Sequence, residues 1–269
     1  GEPRPIGFGA IAARPSPTLL VVAHMSPSLA AAVAPEGFKQ ADALLLSAWE
    51  DGLEEKAKAW ETPWGIWVKK KFGTHMEPIE GGGAKIYLTA TSDQEAADRF
   101  KKLGADFLVL GMEADAAILL KEDLGFVLAI EEETPDGSLQ DPEGMPDTLL
   151  RTLEALPLDG LLLSLPSGPL TLRRQLELRR LGLLSRQTIL IAAAESPSSE
   201  DLQGLREAGI MGIALLIDQA GKEKGLDVLR QAVDSLPPRR PRREEKPTAI
   251  LPFPAQPSGE EETEEFPVP

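Results

Sequence analysis

The sequence predicts a (β/α)8 TIM-type barrel with a disordered C-terminal tail, on three observations. From Thr18 onward one pattern recurs: a short apolar run, a Pro/Gly or polar break, an amphipathic stretch, then another apolar run. That alternation marks βα units feeding a parallel sheet. The apolar runs also lack strict period-two alternation, as expected of strands with helices on one face and packed core on the other. Eight such runs precede Pro238, and eight is the closure number of this kind of barrel. A doubly wound open sheet is the main alternative for the same pattern.

The elements follow in order. The first strand is Thr18–His24, and an Ala-rich helix over 28–34 follows with Ser26 or Ser28 as N-cap. Strand 43–48 leads to a helix over 53–60, and strand 64–69 leads into an irregular excursion over 70–91 with a small extra strand near 85–88. Ser92 should cap a helix over 93–103 that stops at Gly104, before the fourth strand at 107–110 and a short helix near 115–121. The fifth strand, 126–130, precedes a turn-rich loop over 134–146 and a helix at 147–155. Strand 160–165 then pairs with an Arg/Leu helix at 170–181, and strand 188–193 with a helix at 199–208. The eighth strand, 213–217, is followed by a last helix at 225–235 that ends at Pro237-Pro238.

Three segments are expected: an irregular lead-in over 1–17 placed to close the bottom of the barrel, the barrel over 18–237, and a Pro/Glu-rich tail over 238–269. The tail has few residues able to build a core, so disorder is expected there. A length of 269 residues suits one such domain. With 42% hydrophobic residues and a single Tyr, the core must be largely aliphatic. A formal charge of −15 repels phosphate backbones and anionic membranes, so neither nucleic acid nor membrane is an expected partner. The absence of cysteine excludes disulfides, thiolate metal sites and Cys nucleophiles. No apolar run approaches spanning length and no signal-peptide core is evident near residue 1, so a cytoplasmic location is expected. The tail, with Arg239, Arg240, Arg242 and Arg243 ahead of a Glu cluster, is the expected route to a protein partner.

In such barrels the site lies at the C-terminal ends of the strands. The polar residues ending the eight runs are His24, Glu50, Lys69, Glu113, Glu131, Ser164, Glu195 and Asp218. Carboxylates converging there would suit Mg²⁺, a hard cation that prefers oxygen ligands, with Glu113 and Glu131 as the metal pair. Lys69, Glu131 and Glu195 are the candidate catalytic residues, Lys69 because burial can lower a lysine pKa enough for acid or Schiff-base chemistry. The plainer reading is that strand ends meet solvent and carry charge for that reason alone. With only His24 and His75 in the chain, a His-based metal cluster or a Ser/His/Asp triad has little to work with. Phosphate-binding glycines are poor in the last two loops, where Pro197 and Asp218 stand.

Several strand ends together resemble phosphate-binding barrels of the indole-glycerol-phosphate synthase type. Ser26-Pro27-Ser28 is similar to that family's Ser-Pro-Ser, Lys71-Phe72 lies where it has Lys-Asp-Phe, and Glu195-Ser196 resembles its Glu-Ser-Gly. The departures are His24-Met25 in place of the family's Glu and Lys, Pro197 in place of a phosphate-binding Gly, Ser164-Leu165-Pro166 without Asn-Asn-Arg, and Asp218 without Gly. The resemblance implies the fold and not the activity, since catalysis of that kind needs acid, base and phosphate anchor together. Two functional readings remain. One is a non-catalytic or degenerate barrel with a binding or scaffold role, which the eroded phosphate loops favour. The other is a metal-assisted lyase or isomerase acting on a small organic acid.

Overall fold

A computed structural model describes residues 19–50, 52–68, 76–79, 83–86, 93–130, 132–133, 139–140, 145–165, 168–219 and 221–238. The expected lead-in over 1–17, the tail beyond Pro238, the Ser92 cap and the candidates Lys69 and Glu131 lie outside these residues. Contacts divide the chain into Gly1–Leu236 and Pro237–Pro269, and the barrel belongs to the first.

Eight parallel strands close into a barrel. They are β1 (Leu20–Met25), β2 (Ala43–Leu46), β3 (Trp64–Val68), β6 (Phe107–Leu110), β7 (Gly125–Ala129), β10 (Gly160–Ser164), β11 (Ile189–Ala193) and β12 (Ile210–Ile217). Their order is β1-β12-β11-β10-β7-β6-β3-β2, with β2 returning to β1, so no edge is left open. The open doubly wound sheet is thereby excluded. Two short antiparallel hairpins decorate the barrel: β4 (Met76–Ile79) with β5 (Gly83–Ile86), and β8 (Glu132–Glu133) with β9 (Leu139–Gln140). The excursion over 70–91 therefore holds two strands rather than one near 85–88, and its second strand starts at Gly83.

The helices are α1 (Pro27–Ala32), α2 (Glu54–Lys58), α3 (Asp93–Lys102), α4 (Asp147–Thr152), α5 (Leu172–Ser185), α6 (Ser199–Ala208) and α7 (Lys224–Asp234). Ser26 caps α1, with Oγ accepting from the Leu29 N–H at 3.3 Å, and Pro27 takes the first turn where its missing N–H costs nothing. Gly104 and Gly209 follow α3 and α6 at φ +91° and +99°, left-handed values that glycine adopts without a Cβ penalty. The short helix expected near 115–121 is a 3-10 turn over Ala116–Leu120, and a second, unexpected one covers Pro35–Phe38. Helix α5 runs four residues past its expected end. Gly182, the residue after that expected end, sits inside the helix, where a Cβ would lie 3.4 Å from Ile189 of β11.

Side chains alternate between two cores, as strand geometry requires. The barrel interior holds Leu20, Val22, Ala43, Leu45, Trp67, Phe107, Val109, Val127, Ala129, Leu162, Leu190 and Ala214. The larger core between strands and helices is built from Leu19, Val21, Leu44, Leu46, Ile66, Leu108, Ile191, Ile213 and their helical partners. Large and small residues complement one another inside the barrel. A Cβ on Gly65 would lie 2.3 Å from the Phe107 ring, and one on Gly212 would lie 2.8 Å from Leu190 and 2.9 Å from Leu20. The outer core is less purely aliphatic than composition suggests, because Trp49 stacks on Trp64 at 5.7 Å while Phe100 and Trp60 meet the pair edge-on.

The bottom of the barrel carries a device that repeats at three junctions. Asp42, Asp106 and Asp159 each stand just before an even-numbered strand of the barrel count. Each donates its N–H to the carbonyl of Val21, Trp64 or Phe126 on the preceding barrel strand, at 2.7 to 2.8 Å. Each carboxylate then accepts the N–H of that same residue, at 2.8 to 3.0 Å. Three βαβ units are thus clamped at their open ends. The fourth, β11 to β12, has instead a register shift between Ile189 and Leu190, with Met211 turned out to solvent. Arg230 of α7 completes the ring: Nη2 pairs with Asp42 at 2.5 Å, and Nε and Nη2 reach the Gln40 carbonyl at 3.0 Å. The last helix is tied in this way to the second strand.

Candidate functional site

The C-terminal strand ends form one mouth, and strand alternation decides which residues point into it. On β1 the inward row is Leu20, Val22, His24; on β12 it continues from Gly212 and Ala214 to Leu216, which lies beside His24 in the register. On β3 it leads to Trp67, on β10 through Leu162 to Ser164, and on β11 through Leu190 to Ala192. The described lining of the mouth therefore includes His24, Trp67, Ser164, Ala192 and Leu216, with Ser47 next after the inward Leu45 and Gly111 next after the inward Val109.

His24 is 8% exposed, and its imidazole lies 5.6 Å from the Trp67 indole at a tilt of 33°. An imidazole can both donate and accept a hydrogen bond, and this one is held beside an aromatic ring near the end of β1. Ser164 Oγ is buried without a hydrogen-bond partner among the described residues. The Ser164 carbonyl is anchored behind it by the buried Arg174 of α5, at 2.9 Å. Buried hydroxyls are normally satisfied, so this Oγ is a place where a ligand atom or water would bind.

The acidic candidates fall elsewhere. Glu50, Glu113 and Glu195 are all exposed, on the loops after β2, β6 and β11. Asp218 is also exposed and is engaged by Lys222 at 2.7 Å, a hydrogen bond that holds its carboxyl below the usual range. No group of three or more His, Asp or Glu side chains suited to a metal ion occurs among the described residues. Lys69 and Glu131, expected at the ends of β3 and β7, lie outside them, so the metal pair Glu113–Glu131 and the trio Lys69, Glu131 and Glu195 are represented here by Glu113 and Glu195 alone. An open cleft of about 510 Å³ lies on the outer surface between α2 and α3, lined by Glu54, Glu95, Asp98, Arg99, Lys102 and Leu103. Its walls are mixed surface charges away from the barrel interior.

His24 and Ser164 were legible as strand ends, but their partners Trp67, Leu216 and Arg174 were not. Trp67 and Leu216 read as core, and Arg174 as one of several arginines in the helix after β10. What brings them together is the barrel's tilt and register, which a linear apolar run does not reveal.

The fold class is the (β/α)8 barrel, and comparison with solved structures agrees. The chain is similar to the tryptophan synthase alpha subunit of the hyperthermophile Pyrococcus furiosus, with TM-score 0.54 and 13% identity over 82% of this chain and 98% of that one. It is also similar to an archaeal fructose 1,6-bisphosphate aldolase, with TM-score 0.53 and 16% identity over 85% and 95% of the two chains. A chain of a designed cube-shaped porous protein cage matches at TM-score 0.50 and 13% identity, over 80% and 70%. The resemblance to phosphate-binding barrels noted in the sequence is thus met at the level of fold. No family model matches the chain, and no curated sequence matches it. No helix among the described residues is long and apolar enough to cross a membrane.

Proposed function

We propose that this chain is a non-catalytic or degenerate barrel with a binding or scaffold role. The observation that supports the reading is the chemistry of the described mouth. Ala192, Leu216, Gly111 and Trp67 occupy positions from which barrels commonly project acids, bases and metal ligands, and Glu50, Glu113 and Glu195 stand out in solvent. Carboxylates so exposed gain little electrostatic leverage over a bound substrate. A second reading keeps one specific support: His24 and Ser164 Oγ, the latter without a hydrogen-bond partner among the described residues, place two polar groups at the mouth. Those groups would suit a small organic acid, with Lys69, Glu131 and Glu195 as the catalytic residues and Mg²⁺ on Glu113 and Glu131.

Thermal unfolding with Mg²⁺ or Mn²⁺ separates the two. A metal that binds only the folded state stabilises it by about 2.7 kcal/mol at a hundredfold excess over its dissociation constant. The binding reading expects a small, nonspecific response, identical in the parent and in Glu131→Gln. A saturable rise in midpoint that Glu131→Gln removes would overturn it in favour of the metal-assisted enzyme.

A further inference from the structure

Helix α5 is apolar on two opposite faces. Its inner face buries Leu178 and Leu181 together with Arg174 and Ser185. At 100° per residue, the point farthest from that face falls on Leu172, Leu176 and Leu183, which are 78%, 67% and 68% exposed. An outer helix of a barrel would normally present charges there. The three leucines instead form a ridge about 16 Å long, from eleven residues at 1.5 Å rise.

Arginines border the ridge on both sides. Arg179 lies on the flank facing α6, and Arg173 and Arg180 lie on the flank facing α4. Arg173 is steadied by Glu177 at 3.0 Å, and Arg180 by Asp147 of α4. Arg186 reaches Glu154 at 2.9 Å. Arg151 and Arg179 are exposed and form no ion pair among the described residues. The neighbouring α4 and the turn after it add Leu149 and Leu156, 38% and 41% exposed. Five arginines against Asp147, Glu154 and Glu177 make this face basic, on a chain whose formal charge is −15.

We propose that the outer face of α5 is a docking surface for an acidic amphipathic helix of another protein. Such a helix would set its own leucines between Leu172, Leu176 and Leu183, ridge into groove, and carry Glu or Asp along both borders to meet Arg179 and Arg173. Charge selects this occupant over a second copy of the chain. A symmetric pairing of two α5 helices would bring one Arg row against the other, a local like-charge contact that an acidic helix avoids. The proposal stands whether or not the barrel mouth is catalytic.

The probe is a labelled synthetic helix of about three turns (roughly eleven residues at 3.6 per turn) with Leu on one face and Glu on its flanks, followed by fluorescence anisotropy against the full chain. A Lys-flanked peptide of the same apolar pattern serves as control. Saturable binding of the acidic peptide alone is expected, weakened at least about tenfold by Leu176→Glu, which should leave the thermal midpoint unchanged because the side chain is exposed. Arg179→Glu is expected to weaken it as well, and to reduce its dependence on salt. Equal binding of both peptides, no binding, or binding indifferent to Leu176→Glu would overturn the proposal. So would a concentration-dependent dimer abolished by Leu176→Glu in light scattering, or Leu176-dependent binding to phosphatidylserine vesicles, which would assign the face to a second copy or to a membrane.

Discussion

Asp106 and Asp159 show how one side chain can join two barrel strands and make stability depend on pH. Each carboxylate is the acceptor for a strand N–H, of Trp64 and Phe126 respectively. Burial pushes both carboxyls above their ordinary range, and the backbone hydrogen bond only partly offsets it. With the folded-state pKa raised, the native protein holds these protons more tightly than the unfolded chain. The stabilisation is complete below the unfolded value and is lost as pH rises through the folded one. Asp106→Asn with Asp159→Asn keeps an acceptor at each site and removes the titration. Its stability relative to the parent should therefore rise as pH climbs from the ordinary carboxylate range through the raised native one, in urea unfolding. Asp106→Ala removes the acceptor itself and should cost about 1 to 3 kcal/mol, the usual consequence of leaving a buried donor unmet. Gly65→Ala addresses space instead of charge: its Cβ would meet the Phe107 ring at 2.3 Å and the Phe107 carbonyl at 2.5 Å. Because backbone is one of the clashing groups, the variant should lose more than the roughly 1 to 3 kcal/mol typical of overpacking.

Helix α5 is the element whose sequence and structure diverge most usefully. Its N-terminus obeys local rules, with Thr171 Oγ1 accepting from the Arg174 N–H at 3.2 Å. Its C-terminus does not, because tertiary packing carries the helix through Gly182 to Ser185. There Arg186 is left in the left-handed region at φ +52°. A non-glycine residue in that conformation costs roughly 1 to 2 kcal/mol, while its exposed pair with Glu154 contributes about 0 to 1 kcal/mol. Arg186→Gly should thus raise stability modestly, by about 0 to 2 kcal/mol, in denaturant unfolding. In α6 the local rules hold throughout: Ser198 Oγ accepts from the Asp201 N–H at 3.1 Å and donates to the Asp201 carboxylate at 2.9 Å. Ser198→Ala should cost about 1 kcal/mol, measured the same way.

At the scale of the whole molecule, closure is the organising event, since it leaves the eight-stranded barrel sheet without an open edge and brings its first and last strands together. Arg230→Ala should loosen that junction by detaching α7 from Asp42 and the Gln40 carbonyl, and should show as faster amide exchange in β1 and β2. Leu236 packs on the outer core and so belongs with the barrel. A cut after Pro237 is therefore expected to leave the thermal midpoint unchanged, on the view that the Pro- and Glu-dense segment beyond it contributes no core. A drop in midpoint would show instead that groups such as Leu251 or Phe253 are buried.

The fold class was legible from Thr18 onward because each apolar run is long enough for one strand and each break is rich in turn formers. Eight such units leave few alternatives to closure. Strand and helix positions were likewise local matters, set by run length, caps such as Ser26 and stops such as Gly104 and Gly209. Tertiary structure alone decided what shares a space. Register sends His24, Ser164 and Leu216 into the mouth, while Glu113 and Glu195 lie past the strand ends on solvent-facing loops. It also gave three aspartates, ordinary polar residues in a linear reading, the same two-bond contact with the preceding barrel strand. On α5 the leucines that composition assigns to the core divide between two faces, because a helix packed on a barrel has only one side to bury.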